Sequence, residues 1–149
     1  YVSTNTDTSI FTANNIAEVS NQGIEFESVY KFKMSKYNQI ITFGYTYLND
    51  DILDQNKDLS RYSLNTLKHQ FISRFTSQLF KNVRQNIIFK HAERTVGTSY
   101  NVWDASLIVD FNKFTVTLTA NNIFNADYIA SGFVPMPPSN ILLGLRYAF

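Results

Sequence analysis

Cysteine is absent from this chain of 149 residues, and histidine nearly so, with only His69 and His91. No disulfide framework and no thiolate metal site can form. Charge is also scarce. Asp, Glu, Lys and Arg make up 17% of the residues and nearly cancel, leaving a net +1. A soluble domain carries roughly 25% charged residues. The balance gives no electrostatic case for nucleic acid or an acidic partner. Proline is confined to Pro135, Pro137 and Pro138. No run approaches the roughly 20 apolar residues of a membrane helix, a test that is blind to strands whose apolar residues alternate.

No catalytic set stands out either. There is no Ser/His/Asp spacing and no Gly-rich phosphate loop, so no enzyme and no cofactor are expected. Ser63, His69 and Asp51 can be imagined into a rim hydrolase, but nothing fixes their geometry. Asp50, Asp51, Asp54 and Asp58 supply oxygen ligands of the kind calcium wants. They lack the glycine-defined spacing of an EF-hand and read as a solvated loop. No metal site is expected.

What the sequence has in quantity is aromatic residues, 15% of the chain, within a hydrophobic share of 44%. They recur with period two, the signature of strands. Strands are expected over 16–33, 39–49, 67–80, 83–94, 100–111, 114–121 and 140–149, with a short strand end at 1–3. In the last strand Ile141, Leu143, Leu145, Tyr147 and Phe149 share one face. Leu142, Gly144, Arg146 and Ala148 share the other. No amphipathic helix is visible.

Connections alternate in length: short at 34–38, long at 50–66, short at 81–82, medium at 95–99, short at 112–113 and long at 122–139. Up-and-down membrane barrels have short periplasmic turns and long outer loops. Aromatics collect at strand ends. Phe32, Phe80, Phe111, Phe114, Tyr147 and Phe149 lie by the short turns, and Tyr45, Tyr47, Tyr100 and Trp103 toward the loops. Interfacial rings are favoured at those two heights. The opposite face carries Glu25, Glu27, Lys31, Arg74, Lys90, Arg94, Asp104, Asp110 and Arg146. On a lipid face each would cost roughly 2–4 kcal/mol at mid-membrane, so these charges suit a wet lumen. The expected fold is all-β: an antiparallel up-and-down transmembrane β-barrel segment of about seven strands. Seven is an odd count, so either the first residues add an eighth strand or the chain is the end of a larger barrel. The start at Tyr1, without Met, fits a removed leader or a piece of a longer protein.

Three stretches carry a family resemblance. Ala120 to Tyr128 reads Ala-Asn-Asn-Ile-Phe-Asn-Ala-Asp-Tyr. Val134 to Pro138 reads Val-Pro-Met-Pro-Pro, and the closing strand runs to Phe149. Together they resemble the C-terminal end of TonB-dependent outer-membrane receptors, and Gln22-Gly-Ile-Glu-Phe26 resembles the opening of an earlier strand in that family. Gly144, Tyr147 and Phe149 match the family's terminal signal. Leu142 departs from it where a polar residue is usual, and Pro138-Ser139-Asn140 lacks the usual Arg.

The resemblance implies a barrel of about 22 strands in the outer membrane, of which residues 1–149 are the C-terminal part, without the plug domain. It implies import of a scarce nutrient such as an iron siderophore, cobalamin or haem. The partners implied are TonB–ExbB–ExbD through the absent plug region, the barrel-assembly machinery reading Gly144, Tyr147 and Phe149, and other outer-membrane subunits. Arg61, Tyr62, Tyr128, Phe133 and Met136, in the outer loops, are the candidate ligand contacts. His69 and His91 share parity with the apolar residues and are expected to pack at the interface. The alternatives are a complete eight-stranded outer-membrane barrel with a structural or adhesive role, and a soluble ligand-binding barrel with its apolar face inside.

Overall fold

The computed structural model describes residues 2–3, 11–12, 19–52, 67–94, 99–130 and 134–149, with side chains described for all of these except 2–3, 11–12, 19–21 and 50–52. Arg61, Tyr62, Ser63, Asp54, Asp58 and Phe133 lie outside the described residues, as do the side chains of Asp50 and Asp51.

Seven strands form one antiparallel sheet in sequence order: β3 (Val19–Met34), β4 (Tyr37–Ile52), β5 (Leu67–Phe80), β6 (Val83–Arg94), β7 (Tyr100–Phe111), β8 (Phe114–Asn121) and β9 (Asn140–Tyr147). Two short strands, β1 (Val2–Ser3) and β2 (Phe11–Thr12), pair only with each other. The strand expected at 1–3 therefore does not supply an eighth strand to the sheet. β3 and β9 are its two edges. No helix occurs among the described residues.

The register explains why this sequence holds this sheet. One row runs through Tyr30, Ile41, Phe75, Ile87, Ala105, Ala120 and Ile141, touching all seven strands. The adjacent row, on the opposite face, runs through Lys31, Ile40, Thr76, Asn86, Ser106, Thr119 and Leu142. A slip of one residue in any pairing would exchange the two faces, so the alternation pins the register. Register shifts occur in the β5–β6 pairing between Leu67 and His69 and between Gln78 and Phe80.

The short connections are tighter than the sequence suggests at one place. The turn expected at 34–38 is a two-residue turn at Ser35-Lys36, because Tyr37 and Asn38 already pair with Met34 and Lys33. Ser35 and Asn112 adopt φ of 57° and 50°. A two-residue hairpin whose twist matches its strands requires such left-handed residues. At the other end β4 runs on to Ile52, where Asp50 and Asp51 pair with Asn21 and Ser20.

The sheet has almost no core of its own. Among the described residues the only buried apolar side chains are Ala92 and Val102. Phe26, Leu143 and Leu145 are 61%, 75% and 71% exposed. Stable domains bury an apolar sheet face against a second layer. Among the described residues the apolar face has none, and each Å² left in water forfeits about 25 cal/mol.

Candidate functional site

Interactions concentrate at the long-loop end, where the chain leaves β8 and turns a corner. Asn122 and Asn125 both adopt left-handed backbone, φ 49° and 52°. Asparagine tolerates that region better than other side-chain-bearing residues because its short amide can bond locally. Asn122 is 3% exposed. Its Oδ1 accepts from Ala126 N at 2.8 Å, and its Nδ2 donates to Ala126 O at 2.9 Å and to Pro137 O at 3.3 Å. One side chain thus ties the start of the loop to its end. Asn125 does the same one turn on, accepting from Ser139 N at 2.9 Å.

The corner divides the loop between the two faces of the sheet. Phe124 goes to the apolar face, where its ring meets Trp103 edge-on at 6.3 Å. It ends a chain of ring contacts on that face: Phe43 to Phe71 at 6.2 Å, Phe71 to Phe89 at 6.1 Å and Phe89 to Trp103 at 4.8 Å. His69 belongs to the same band. Its Nδ1 is hydrogen-bonded to the Tyr45 hydroxyl at 2.8 Å and its ring lies 5.0 Å from Tyr47. His91 is bonded to Asn101 Oδ1 at 2.9 Å. Both histidines are therefore engaged within the aromatic face, as their parity suggests. Among the described residues no three His, Asp or Glu side chains converge on a metal position.

Residues 126–130 turn to the polar face instead. The Tyr128 ring lies tilted against Tyr100 at 4.7 Å, and the Arg94 guanidinium donates to the Ala130 carbonyl. Asp104 anchors the same region. Its Oδ1 accepts from Asn122 N at 2.9 Å and its Oδ2 from Lys90 Nζ at 2.8 Å. Ala92 and Val102, each 1% exposed, lie on this face among these contacts. Burial pushes the Tyr128 hydroxyl above its usual pKa. Lys90 opposes the shift, while Asp104 and Tyr100 add to it.

The candidate contact residues thus fall in different places. Tyr128 is half-buried on the polar face of the sheet, against Tyr100. Met136 is 38% exposed, and its N–H donates to Tyr128 O at 2.9 Å, so the two sit on adjacent limbs of one folded loop. Asp104, Asn122 and Tyr100, which organise the loop, were not among the sequence candidates for the site. The left-handed preference of the two asparagines was the available signal.

The three terminal residues lie at the short-turn end of β9 or close to it. Tyr147 packs on Phe114 at 4.8 Å and Phe149 meets Tyr147 edge-on at 5.1 Å. Phe149 is fully exposed. A methyl at Gly144 would meet Thr117 at an ordinary 3.7 Å, so packing within this sheet does not demand glycine there.

No protein-family description matches the sequence, no curated protein matches it, and no solved structure matches the fold.

Proposed function

We propose that this chain forms part of the wall of a transmembrane β-barrel in a Gram-negative outer membrane, of the TonB-dependent receptor type. The observation that carries the reading is the single apolar face. A row of Tyr, Ile, Phe and Ala crosses seven strands without a charge, and among the described residues no second layer covers it. Hydrocarbon is the solvent that suits such a face, provided every backbone group is paired within the sheet. The up-and-down order, with two-residue turns at one end and long loops at the other, agrees with that environment.

The free edges of β3 and β9 call for further strands on both sides, as in a barrel of about 22 strands. The resemblance at Ala120–Tyr128, Val134–Pro138 and the terminal aromatic signal adds the receptor class. On that reading the loop corner at Asn122 faces the outside and the short turns face the periplasm. The cargo is a scarce nutrient of the siderophore, cobalamin or haem kind, taken up with energy relayed from TonB–ExbB–ExbD.

The experiment is fractionation of the intact protein followed by uptake. The expected result is recovery in the outer membrane, heat-modifiable migration from detergent, and loss of uptake of one of these three nutrients when either the gene or TonB is removed. A monodisperse, detergent-free protein with β-rich circular dichroism would overturn the membrane reading. An outer-membrane protein whose deletion leaves TonB-dependent uptake of all three intact would overturn the receptor reading alone.

A further inference from the structure

The net charge of +1 conceals a segregation by end. Each of the three short turns carries one lysine: Lys36, Lys81 and Lys113. Lys33, Arg84 and Arg146 sit one residue inside the adjoining strand ends. These six, of the chain's 13 Lys and Arg, are all exposed. Among the described residues the only acid at the same height is Asp110, and it is taken up by Arg84 at 2.9 Å and by Thr115 Oγ1 at 2.8 Å. Among the described residues the three turn lysines have no acidic partner.

Two of them lean toward the aromatic face. Lys113 Nζ lies 6.0 Å from the Tyr147 ring centroid and Lys36 Nζ 5.5 Å from that of Tyr37. The rings of Phe80, Phe111 and Phe114, 63%, 57% and 47% exposed, stand at the same level. An exposed aromatic band edged by unpaired ammonium groups matches the boundary between acyl chains and phosphate headgroups.

We propose that the short-turn rim is a docking surface for anionic phospholipid headgroups, with Lys36, Lys81 and Lys113 as the phosphate contacts. The inference rests on the membrane reading above and adds to it a lipid class and a side. Charge complementarity carries it: basic groups beside an anionic lipid surface attract it additively, and the attraction falls off within a Debye length. The rings select a lipid surface over a soluble polyanion, because they give the acyl-chain side of the boundary a matching contact.

The test uses the intact protein purified in a nonionic detergent and native mass spectrometry of retained lipid. Phosphatidylglycerol and phosphatidylcholine are offered in equal amounts. The expected result is retention of phosphatidylglycerol over phosphatidylcholine by about tenfold or more, from the additive contribution of three cations. The preference shrinks at 0.5 M salt, a concentration set for the test at roughly the point where the Debye length falls to a few Å. It disappears in the K36Q/K81Q/K113Q variant and persists in K36R/K81R/K113R, which keeps the charge. All three sites are exposed turn positions, and the heat-modifiable shift checks that both variants are folded.

Equal retention of the two lipids by a folded, membrane-embedded protein overturns the proposal and leaves the membrane reading standing. So does a preference that survives the Gln variant. Binding of poly-glutamate or inorganic phosphate at the rim without lipid preference assigns the surface to a soluble acidic partner instead, and also overturns it. A protein that is soluble without detergent and retains no lipid overturns both readings together.

Discussion

Substituting Asn122 tests the corner most directly. The side chain is buried and makes two short hydrogen bonds with Ala126, 2.8 and 2.9 Å, and a longer one to Pro137 O. In Asn122→Ala the Ala126 N–H and C=O both lose their partner, at about 1 kcal/mol for each net bond. The backbone φ of 49° adds about 1 kcal/mol, since alanine lacks the local amide bond that lets asparagine adopt it. The sum, about 3 kcal/mol, is roughly a hundredfold in a local opening equilibrium.

Amide hydrogen exchange on the intact protein reads it site by site. Ile123, Asn125, Ala126, Met136 and Ser139 all donate hydrogen bonds within this corner. Their exchange is expected to accelerate together by about two orders of magnitude in Asn122→Ala, while amides in mid-β6 stay unchanged. Asn122→Gly relieves the backbone strain but not the lost bonds, so it should fall about fivefold short of the alanine effect. Unchanged exchange in Asn122→Ala would refute the idea that this side chain holds the loop. Equal exchange in the glycine and alanine variants would refute the strain contribution.

Further outcomes follow from other sites. Gly23→Ala brings a Cβ to 2.6 Å from the backbone oxygen of Tyr47, which cannot turn away. The β3–β4 pairing should weaken by about 1–3 kcal/mol near its long-loop end, seen as faster exchange at neighbouring amides. Deletion of Phe149 removes a fully exposed ring, so the thermal stability of assembled protein should hardly change. Its yield in the outer membrane should fall severalfold if the ring is an assembly signal, and a stability loss without a yield loss would assign it to packing. Tyr128 has its pKa raised in the folded loop by burial, so the docked loop binds that proton more tightly than the opened one. This stabilisation is complete below about pH 10, the ordinary tyrosine value, and is lost as pH rises through the higher folded value. Chymotryptic cleavage of the loop should therefore increase between pH 9 and 11, values chosen to bracket that range, and Tyr128→Phe should suppress the increase.

Much of the sheet was legible in the amino-acid order. The period-two alternation located all seven strands of the sheet, and four of them, β5 to β8, have the expected bounds. A side chain's face depends only on its parity along a strand, so neighbouring residues suffice to read it. Strand ends were less legible. β4 continues to Ile52 through Asp50 and Asp51, residues of low strand preference, because main-chain pairing with Ser20 and Asn21 holds them regardless of side chain. The turn at Ser35-Lys36 was expected but drawn too wide, at 34–38, because serine gives no signal for left-handed backbone.

The sequence by itself determined the alternation and the alternate short and long connections, both local properties of the chain. The tertiary structure decided what long-range pairing controls. It set Asp104 of β7 under Asn122, folded Tyr128 back onto Tyr100, and left β3 and β9 as open edges. It also gathered Lys36, Lys81 and Lys113, which are scattered over the chain and masked by a near-zero net charge, onto one rim. Antiparallel order brings every second connection to the same end of a sheet, so charges distant in sequence become neighbours there.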